Sequence, residues 1–211
     1  IYARVDWSWA QNGGDALVMG WTPEEGFQPC RWLGYNEAMI LYVLALAAPE
    51  FSVTPAAYAA WTSTFDWRRI YGRDVLYAGP LFVHQFSQIW LDLKGLQDRV
   101  MAKRKTDYFE NSREMTHVHR QYAMRNPHKF MGYEKNCWGL TASDGPADAV
   151  EKFHGHDQRF YDYVARGAPF GPDDGTISPW ASIASLPFAP EIVLDEIRHL
   201  ESLIGHSPQG Y

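Results

Sequence analysis

Long hydrophobic runs are missing from this chain. The longest uncharged apolar stretch, Ala38 to Ala48, falls well short of the roughly 18 to 20 residues that cross a bilayer, which argues against a membrane-spanning helix. Basic residues do not outnumber acidic ones: 19 Lys and Arg stand against 25 Asp and Glu, a formal charge of −6 with His neutral. Without a clustered cationic excess nothing neutralises a phosphate backbone, so nucleic acid is a poor partner. Cysteine is scarce. Cys30 and Cys137 match no metal or redox spacing, and they read either as two buried thiols or as one long-range disulfide. G-x-S-x-G, Walker and G-x-G-x-x-G motifs are absent, which removes support for serine-hydrolase, phosphoryl-transfer and dinucleotide chemistry. Histidines at 117 and 119, and at 154 and 156, have a spacing that serves a metal on a strand, but on a helix such positions diverge by roughly 200°. No metal site is expected from them.

Aromatic residues are plentiful: nine Trp, twelve Tyr and eleven Phe make up 15% of the chain. Charged residues at 21% and hydrophobic ones at 46% are otherwise ordinary for a globular domain. The surplus rings serve core packing or platforms for flat, partly apolar ligands, of which sugars are the commonest for an acidic protein. Gly and Pro are dispersed and no repeat stands out, so residues 1–211 read as one domain or part of one. The start at Ile1, with no basic segment leading into an apolar one, reads as a boundary and carries no information about export.

Residues 1–34 hold Trp7, Trp9, Trp21 and Trp32 among Gly and Pro and predict an ordered aromatic loop with a short strand or hairpin. Residues 36–48 predict a helix capped by Asn36 and stopped by Pro49; being apolar on nearly every face, it is expected to be enclosed on all sides. From Pro80 a second helix would present Leu81, Phe82, Phe86, Ile89, Trp90 and Leu93 as its apolar stripe, with His84, Gln85 and Gln88 elsewhere. A third runs from about Tyr108 to Arg125, capped by Thr106 or Asp107, with Tyr108, Met115, Val118 and Tyr122 facing inward. Further helices are expected at 147–153, at 179–186 and from Glu191 to Ile204, between Pro190 and Gly205. Strand signals are local, at Ile1 to Val5, Val75 to Tyr77 and Tyr161 to Val164. The pattern as a whole is α, and fully apolar helices alternating with amphipathic ones suggest an inner ring inside an outer one.

Three carboxylates stand among the aromatics. Glu37 follows the Trp-rich loop in the expected first turn of the enclosed helix, where the helix end favours its ionised form and aromatic packing opposes it. If desolvation prevails it is a proton donor near neutral pH; otherwise it caps the helix. Glu110 occupies the first turn of the third helix, as a second acid or as the partner of Arg113 three residues on. Asp144 precedes Gly145 and Pro146, a setting that is also plain turn chemistry. Asp173 and Asp174, near Trp180, form a turn or an acidic rim.

Read in order, Gly20-Trp21-Thr22-Pro23-Glu24, Arg31 to Ala38 (RWLGYNEA), Leu76 to Phe82 (LYAGPLF), Asp107 to Arg113 (DYFENSR) and Trp138 to Pro146 (WGLTASDGP) resemble the glycoamylase-like domain of bacterial β-1,2-glucanases and cyclic β-1,2-glucan synthases. The likeness extends from about Trp7 to Pro190. It implies an all-α (α/α)6 barrel, of which this chain would supply the C-terminal part, the missing N-terminal part of the same domain being its partner. It also implies a periplasmic or secreted glycoside hydrolase acting on a glucan oligo- or polysaccharide. Two carboxyls would act without a cofactor, set roughly 6.5 to 9.5 Å apart if the enzyme inverts configuration. The resemblance assigns Glu37 as general acid, with Glu110, then Asp144, or an acid from the missing part of the domain as partner. Trp21, Trp32, Tyr35, Tyr108, Trp138 and Trp180 would stack on glucose rings. Arg31, His84, Gln85 and Arg113 would bond hydroxyls, beside the acidic rim at Asp174. A transglycosylase, an α-glucan enzyme or a non-catalytic sugar-binding domain would fit the same residues.

Overall fold

A computed structural model describes residues 1–153 and 155–204; His154 and Gly205, used above in the paired-histidine and helix-end readings, lie outside them. Chain entry is a loop held by a long hairpin. Strands β1 (Trp21–Thr22) and β2 (Gly26–Phe27) pair with Trp21 opposite Phe27. The pairing continues toward the base through Met19 N–H to Cys30 O (2.9 Å) and Trp32 N–H to Leu17 O (2.9 Å). The Arg31 guanidinium turns inward there, donating to the carbonyls of Gln11 (2.6 Å) and Ala16 (2.5 Å). Gly14 lies beneath it, where a Cβ would come within 2.6 Å of the Arg31 Cζ and push the guanidinium aside. Residues Tyr2–Arg4 form a short 3-10 turn rather than the expected strand. Its bond is local, Arg4 N–H to Ile1 O, and among the described residues no strand pairs with it.

The hairpin base rests on the first core, where Leu17, Met39, Tyr42, Ala45, Ala57, Trp61, Leu76, Met101 and Tyr108 pack together. Helices α1 (Met39–Ala47) and α2 (Pro55–Thr62) supply most of it. Tyr42 ties helix to hairpin, its hydroxyl accepting from Leu17 N–H (3.2 Å) and donating to Trp32 O (2.7 Å). Asn36 closes a turn instead of capping α1 directly: its Oδ1 accepts from Ala38 N–H and from Trp61 Nε1, each at 3.1 Å, and Ala38 is the residue at the cap. The expectation of an enclosed α1 is not met. Met39, Tyr42 and Ala45 are buried, while Leu44 stands 37% exposed, because the described chain packs against one side only.

Hairpin β3 (Trp67–Ile70) and β4 (Arg73–Leu76) leads to helix α3 (Leu81–Gln85), and α4 (Arg99–Arg104) precedes α5 (Tyr108–Arg125). Helix α5 follows its sequence closely. The Asp107 carboxylate accepts from Glu110 N–H at 2.7 Å, a cap that stabilises by about 1 kcal/mol, and Tyr108, Met115, Val118 and Tyr122 are buried. At its far end Asn126 takes the left-handed conformation (φ 41), which Asn tolerates better than most residues. Helices α6 (Pro179–Ile183) and α7 (Pro190–Ile204) close the second core with Leu81, Tyr122, Trp138, Leu140, Ala181, Ile192 and Val193.

Residues 149–153 correct the helical expectation. They are strand β6 (Ala149–Phe153), paired antiparallel with β7 (His156–Phe160). An isolated helix of such length is marginal, and cross-strand pairing offers this segment more bonds per residue. Strands β5 (Ala142–Asp144) and β8 (Tyr163–Ala165) pair likewise. The described chain is thus helix-rich but not all-α, carrying four two-stranded antiparallel sheets. Both cysteines are free thiols; Cys30 is exposed and Cys137 half-buried, so neither the disulfide nor a pair of buried thiols is formed. Among the described residues no helix is long and apolar enough to cross a membrane.

Candidate active site

Helix α3 and the 3-10 turn Phe86–Ile89 that continues it decide where the site lies. The sequence assigns Phe86, Ile89 and Trp90 to the interior, yet they are 43%, 70% and 67% exposed, while His84 and Gln85 are buried. The inversion has a cause: the polar side chains find fixed partners inside. His84 Nε2 lies 3.0 Å from Ala78 O and its Nδ1 lies 3.4 Å from the Asn111 amide nitrogen, which defines the Nε2–H tautomer. Burial pulls its pKa down to about 4, so the ring is neutral at pH 7. His119 repeats the device, with Nε2 2.9 Å from Gly79 O and Nδ1 accepting from Leu140 N–H at 3.3 Å. The two neutral rings brace the turn that launches α3, and both nitrogens of His84 are spent on protein.

Glu37 lies at the other end of α3. It sits in the turn just ahead of α1, not in its first turn, and is half-buried. Its carbonyl accepts from Ser87 Oγ at 3.4 Å, which ties the Glu37 turn to the 3-10 segment. Tyr35 stacks on Tyr108 at 5.8 Å and tilts against His84 at 5.2 Å; burial pushes its hydroxyl pKa well up. Tyr108 is buried too, donating to Asp98 at 2.7 Å. These tyrosines pack into the interior rather than forming an open platform.

The 3-10 segment borders a groove of about 650 Å³ lined by Phe82, Phe86, Trp90, Phe109, Trp180 and Phe188, with Gln85, Gln88 and Asp92 among them. That volume is typical of a small-molecule site. Gln85 and Trp180 were legible as candidates, whereas Gln88, Phe86, Trp90, Phe109 and Phe188 were not. Their signal was a glutamine pair three residues apart inside an aromatic run, which reads equally well as an ordinary amphipathic helix. Glu110 follows Phe109. Its carboxylate is half-exposed and 3.8 Å from Arg113, whose other arm reaches Glu191 at 3.0 Å; His117 Nε2 also approaches Glu191 (3.3 Å).

Asp144 and Asp174 belong to the opposite end of α3, beyond the Leu140–Thr141 segment that contacts Leu81 N–H and Phe82 N–H. Asp144 is exposed at the end of β5. Asp174 forms a two-bonded pair with Arg166, Nε to Oδ1 at 2.8 Å and Nη2 to Oδ2 at 2.7 Å, with both side chains fully buried. Burial alone would raise the Asp174 carboxyl, but Arg166 and the backbone N–H groups of Tyr161 and Thr176 outweigh it and hold it at about 2. It is a structural pair rather than an acidic rim. Trp138 is 1% exposed and Trp32 packs on the first core, while Trp21 stands exposed at the hairpin tip against Trp9 (5.7 Å). The structure therefore gathers Glu37, Glu110, Gln85 and Trp180 at one end. It leaves Asp144 and Asp174 at the other, and turns Arg31, His84 and Trp138 to internal duty. Among the described residues no three His, Cys, Asp or Glu side chains are grouped to hold a metal ion.

Comparison with known proteins bears on this arrangement. Residues 29–209 match the glycoamylase family, described as "Putative glucoamylase". An exo β-1,2-glucooligosaccharide sophorohydrolase of Parabacteroides distasonis is 28% identical over 227 aligned positions, covering 94% of this chain and 29% of the relative. The endo-β-1,2-glucanase of Chitinophaga pinensis, solved with sophorotriose and glucose, is 30% identical with a TM-score of 0.78, covering 94% of this chain and 46% of that one. A Bacteroides uniformis protein described in the same words as the family is 30% identical with a TM-score of 0.82, over 97% and 47% of the two chains. The chain spans less than half the length of each of these relatives. By the match of most of its length, the chain belongs to the glycoamylase family.

Proposed function

We propose that this chain carries the acid-bearing part of a β-1,2-glucan hydrolase. The observation that carries the reading is the bond between Ser87 Oγ and the Glu37 backbone carbonyl, which ties the turn bearing the best-matched carboxylate to the 3-10 segment that borders a groove walled by six aromatic rings. Aromatic faces suit the C–H faces of glucose, and amide groups suit its hydroxyls. Glu37 donates a proton to the glycosidic oxygen, while a second carboxylate activates water from the far face of the sugar, with inversion of configuration. Among this chain's candidates Glu110 shares the Glu37 end of α3 and Asp144 does not, so Glu110 is that partner. The names of the Parabacteroides and Chitinophaga relatives support β-1,2-linked glucose as substrate.

The exposed face of α1 supports a further part of the reading. In the whole protein it is covered by helices outside this chain, which complete the (α/α)6 ring. The family resemblance supports a periplasmic or secreted location. The test is product analysis of the full-length enzyme on linear β-1,2-glucan, with Glu37→Gln, Glu110→Gln and Asp144→Asn beside it. Short linear products of inverted configuration are expected, lost by several orders of magnitude in E37Q and E110Q and retained in D144N. Activity unchanged in E37Q overturns the assignment; cyclic or lengthened products reassign the reaction to transglycosylation. Unchanged activity in E110Q alone moves the second carboxylate to the helices outside this chain.

A further inference from the structure

A second groove lies with Asp174 at the end of α3 away from Glu37, and no step of the proposed reaction uses it. Its volume is about 730 Å³, within the range of small-molecule sites. Three segments wall it: the loop after α5, strand β7 and the turn at residues 173–176. Side chains fix all three. Asn126 closes the loop on Phe130, its Nδ2 donating to Phe130 O (2.7 Å) and its Oδ1 accepting from Phe130 N–H (2.8 Å). Gln158 ties β7 to the turn, Nε2 to Asp174 O at 2.9 Å. The Asp173 carboxylate accepts from the hydroxyls of Tyr122 (2.7 Å) and Tyr133 (2.6 Å) and from Gly175 N–H (3.1 Å). Gly175, at φ +87, lets the Phe130 ring settle on the turn, where a Cβ would come within 2.9 Å of the ring. The walls are therefore set before any ligand arrives, which lowers the entropic cost of binding one.

We propose that this groove is a second glucan-binding site, which holds the polysaccharide without cleaving it. The lining selects the ligand class. Phe130 and Phe160 are half-buried, and Met131 on the lip is 87% exposed, more than any large apolar side chain among the described residues except Ile1. Such surface suits the C–H faces of a sugar. Asp173 is filled as above, Asp174 is paired with Arg166, and Arg159 is paired with Asp148. Lys129 and Asp157 are left exposed, and among the described residues neither has an ion-pair partner. One charge of each sign, with the Gln158 amide, offers donors and acceptors to hydroxyl groups. An anion would meet Asp157 as well as Lys129, and a purely apolar ligand would strand the polar groups. With Asp173 and Asp174 both engaged, no pair of free carboxyls remains to hydrolyse the chain there. The inference rests on the glucan-hydrolase reading above and extends it to long substrates. A chain held in both grooves gains from the raised effective concentration of its own far end, whereas an oligosaccharide that fills only the aromatic groove does not.

The test uses the full-length enzyme with two substrates, long linear β-1,2-glucan and the shortest β-1,2-glucooligosaccharide it cleaves. The measured quantity is the ratio of the two kcat/KM values, from which the fraction of correctly folded enzyme cancels. Met131→Ala and Lys129→Gly strip the lip of the groove; glycine suits position 129, where the backbone is left-handed at φ 60. Together they should lower the preference for the long chain by roughly tenfold, chiefly through a higher KM for it. The long-chain KM of the unmodified enzyme should change little between about 50 and about 500 mM salt, because the ligand is neutral. A ratio equal to that of the unmodified enzyme, whether or not the absolute rates fall, overturns the inference while leaving glucan hydrolysis standing. A long-chain KM that climbs steeply with salt overturns it too, by assigning the groove to an anionic ligand. Absence of any turnover or binding of β-1,2-glucan by the unmodified enzyme overturns both readings.

Discussion

Replacing Glu196 by glutamine should stabilise the protein at pH 8 and change little at pH 5. Glu196 lies on α7 and is 1% exposed. One carboxylate oxygen accepts from Trp138 N–H at 3.1 Å, and among the described residues the other has no partner. Burial pushes its carboxyl up from an ordinary 4.5 to about 7, against a smaller opposing pull from the Trp138 N–H. The sign follows from proton counting. Between those two values the folded protein holds a proton that the unfolded chain has lost, so stability falls as pH rises through the window and stays low above it. From 4.5 to 7 the linkage amounts to about 3 kcal/mol. Glutamine keeps the shape and the Trp138 bond without a charge to bury. In a domain of this size the advantage corresponds to a melting temperature roughly 6 to 12 °C higher at pH 8, with curves that converge toward pH 5. Denaturant titrations of the two proteins at half-unit steps from pH 5 to 8 measure it directly. A difference that is the same at every pH, or a wild type that gains on the variant as pH rises, refutes the reasoning.

Other perturbations test other parts of the fold. His84 and His119, held at about 4 and about 3 by burial, act in the opposite direction to Glu196. Unfolded histidine takes a proton below about 6.5, so each costs the fold about 2 kcal/mol on acidification to pH 5; NMR should show both as neutral Nε2–H rings throughout pH 5 to 8, and a ring that titrates near 6.5 contradicts the bracing role. Arg166→Met should destabilise by about 3 to 5 kcal/mol by stranding the Asp174 charge, and adding Asp174→Leu should recover much of the loss. A double variant no better than the single would count against the isolated buried pair. Cys30 is exposed and Cys137 half-buried with its thiol pKa raised by burial, so thiol reagents at pH 8 should modify Cys30 first, without prior reduction; equal rates would contradict the placement.

Much of the helical fold was legible in the residues. The α5 boundaries follow from a cap at Asp107, a stripe at helical spacing and Pro127 beyond its end, all local chemistry that needs no neighbour. The sequence likewise carried the family, through motifs strung in order from Gly20 to Pro146, and with it Glu37 as the acid to examine. The rest depended on contacts between distant segments. Residues 149–153 became a strand because 156–160 lay within reach to pair with them, and the exposure of α1 reflects which of its faces the chain covers. Arg31, His84 and Asp174 have the side chains of a sugar site, yet each is directed into the protein by partners up to 27 positions away, and Trp138 is packed into the second core. Only the tertiary structure decided the sidedness of α3. Amides that find carbonyl and hydroxyl partners inside can take the interior positions, and they leave Phe86, Ile89 and Trp90 to line the groove.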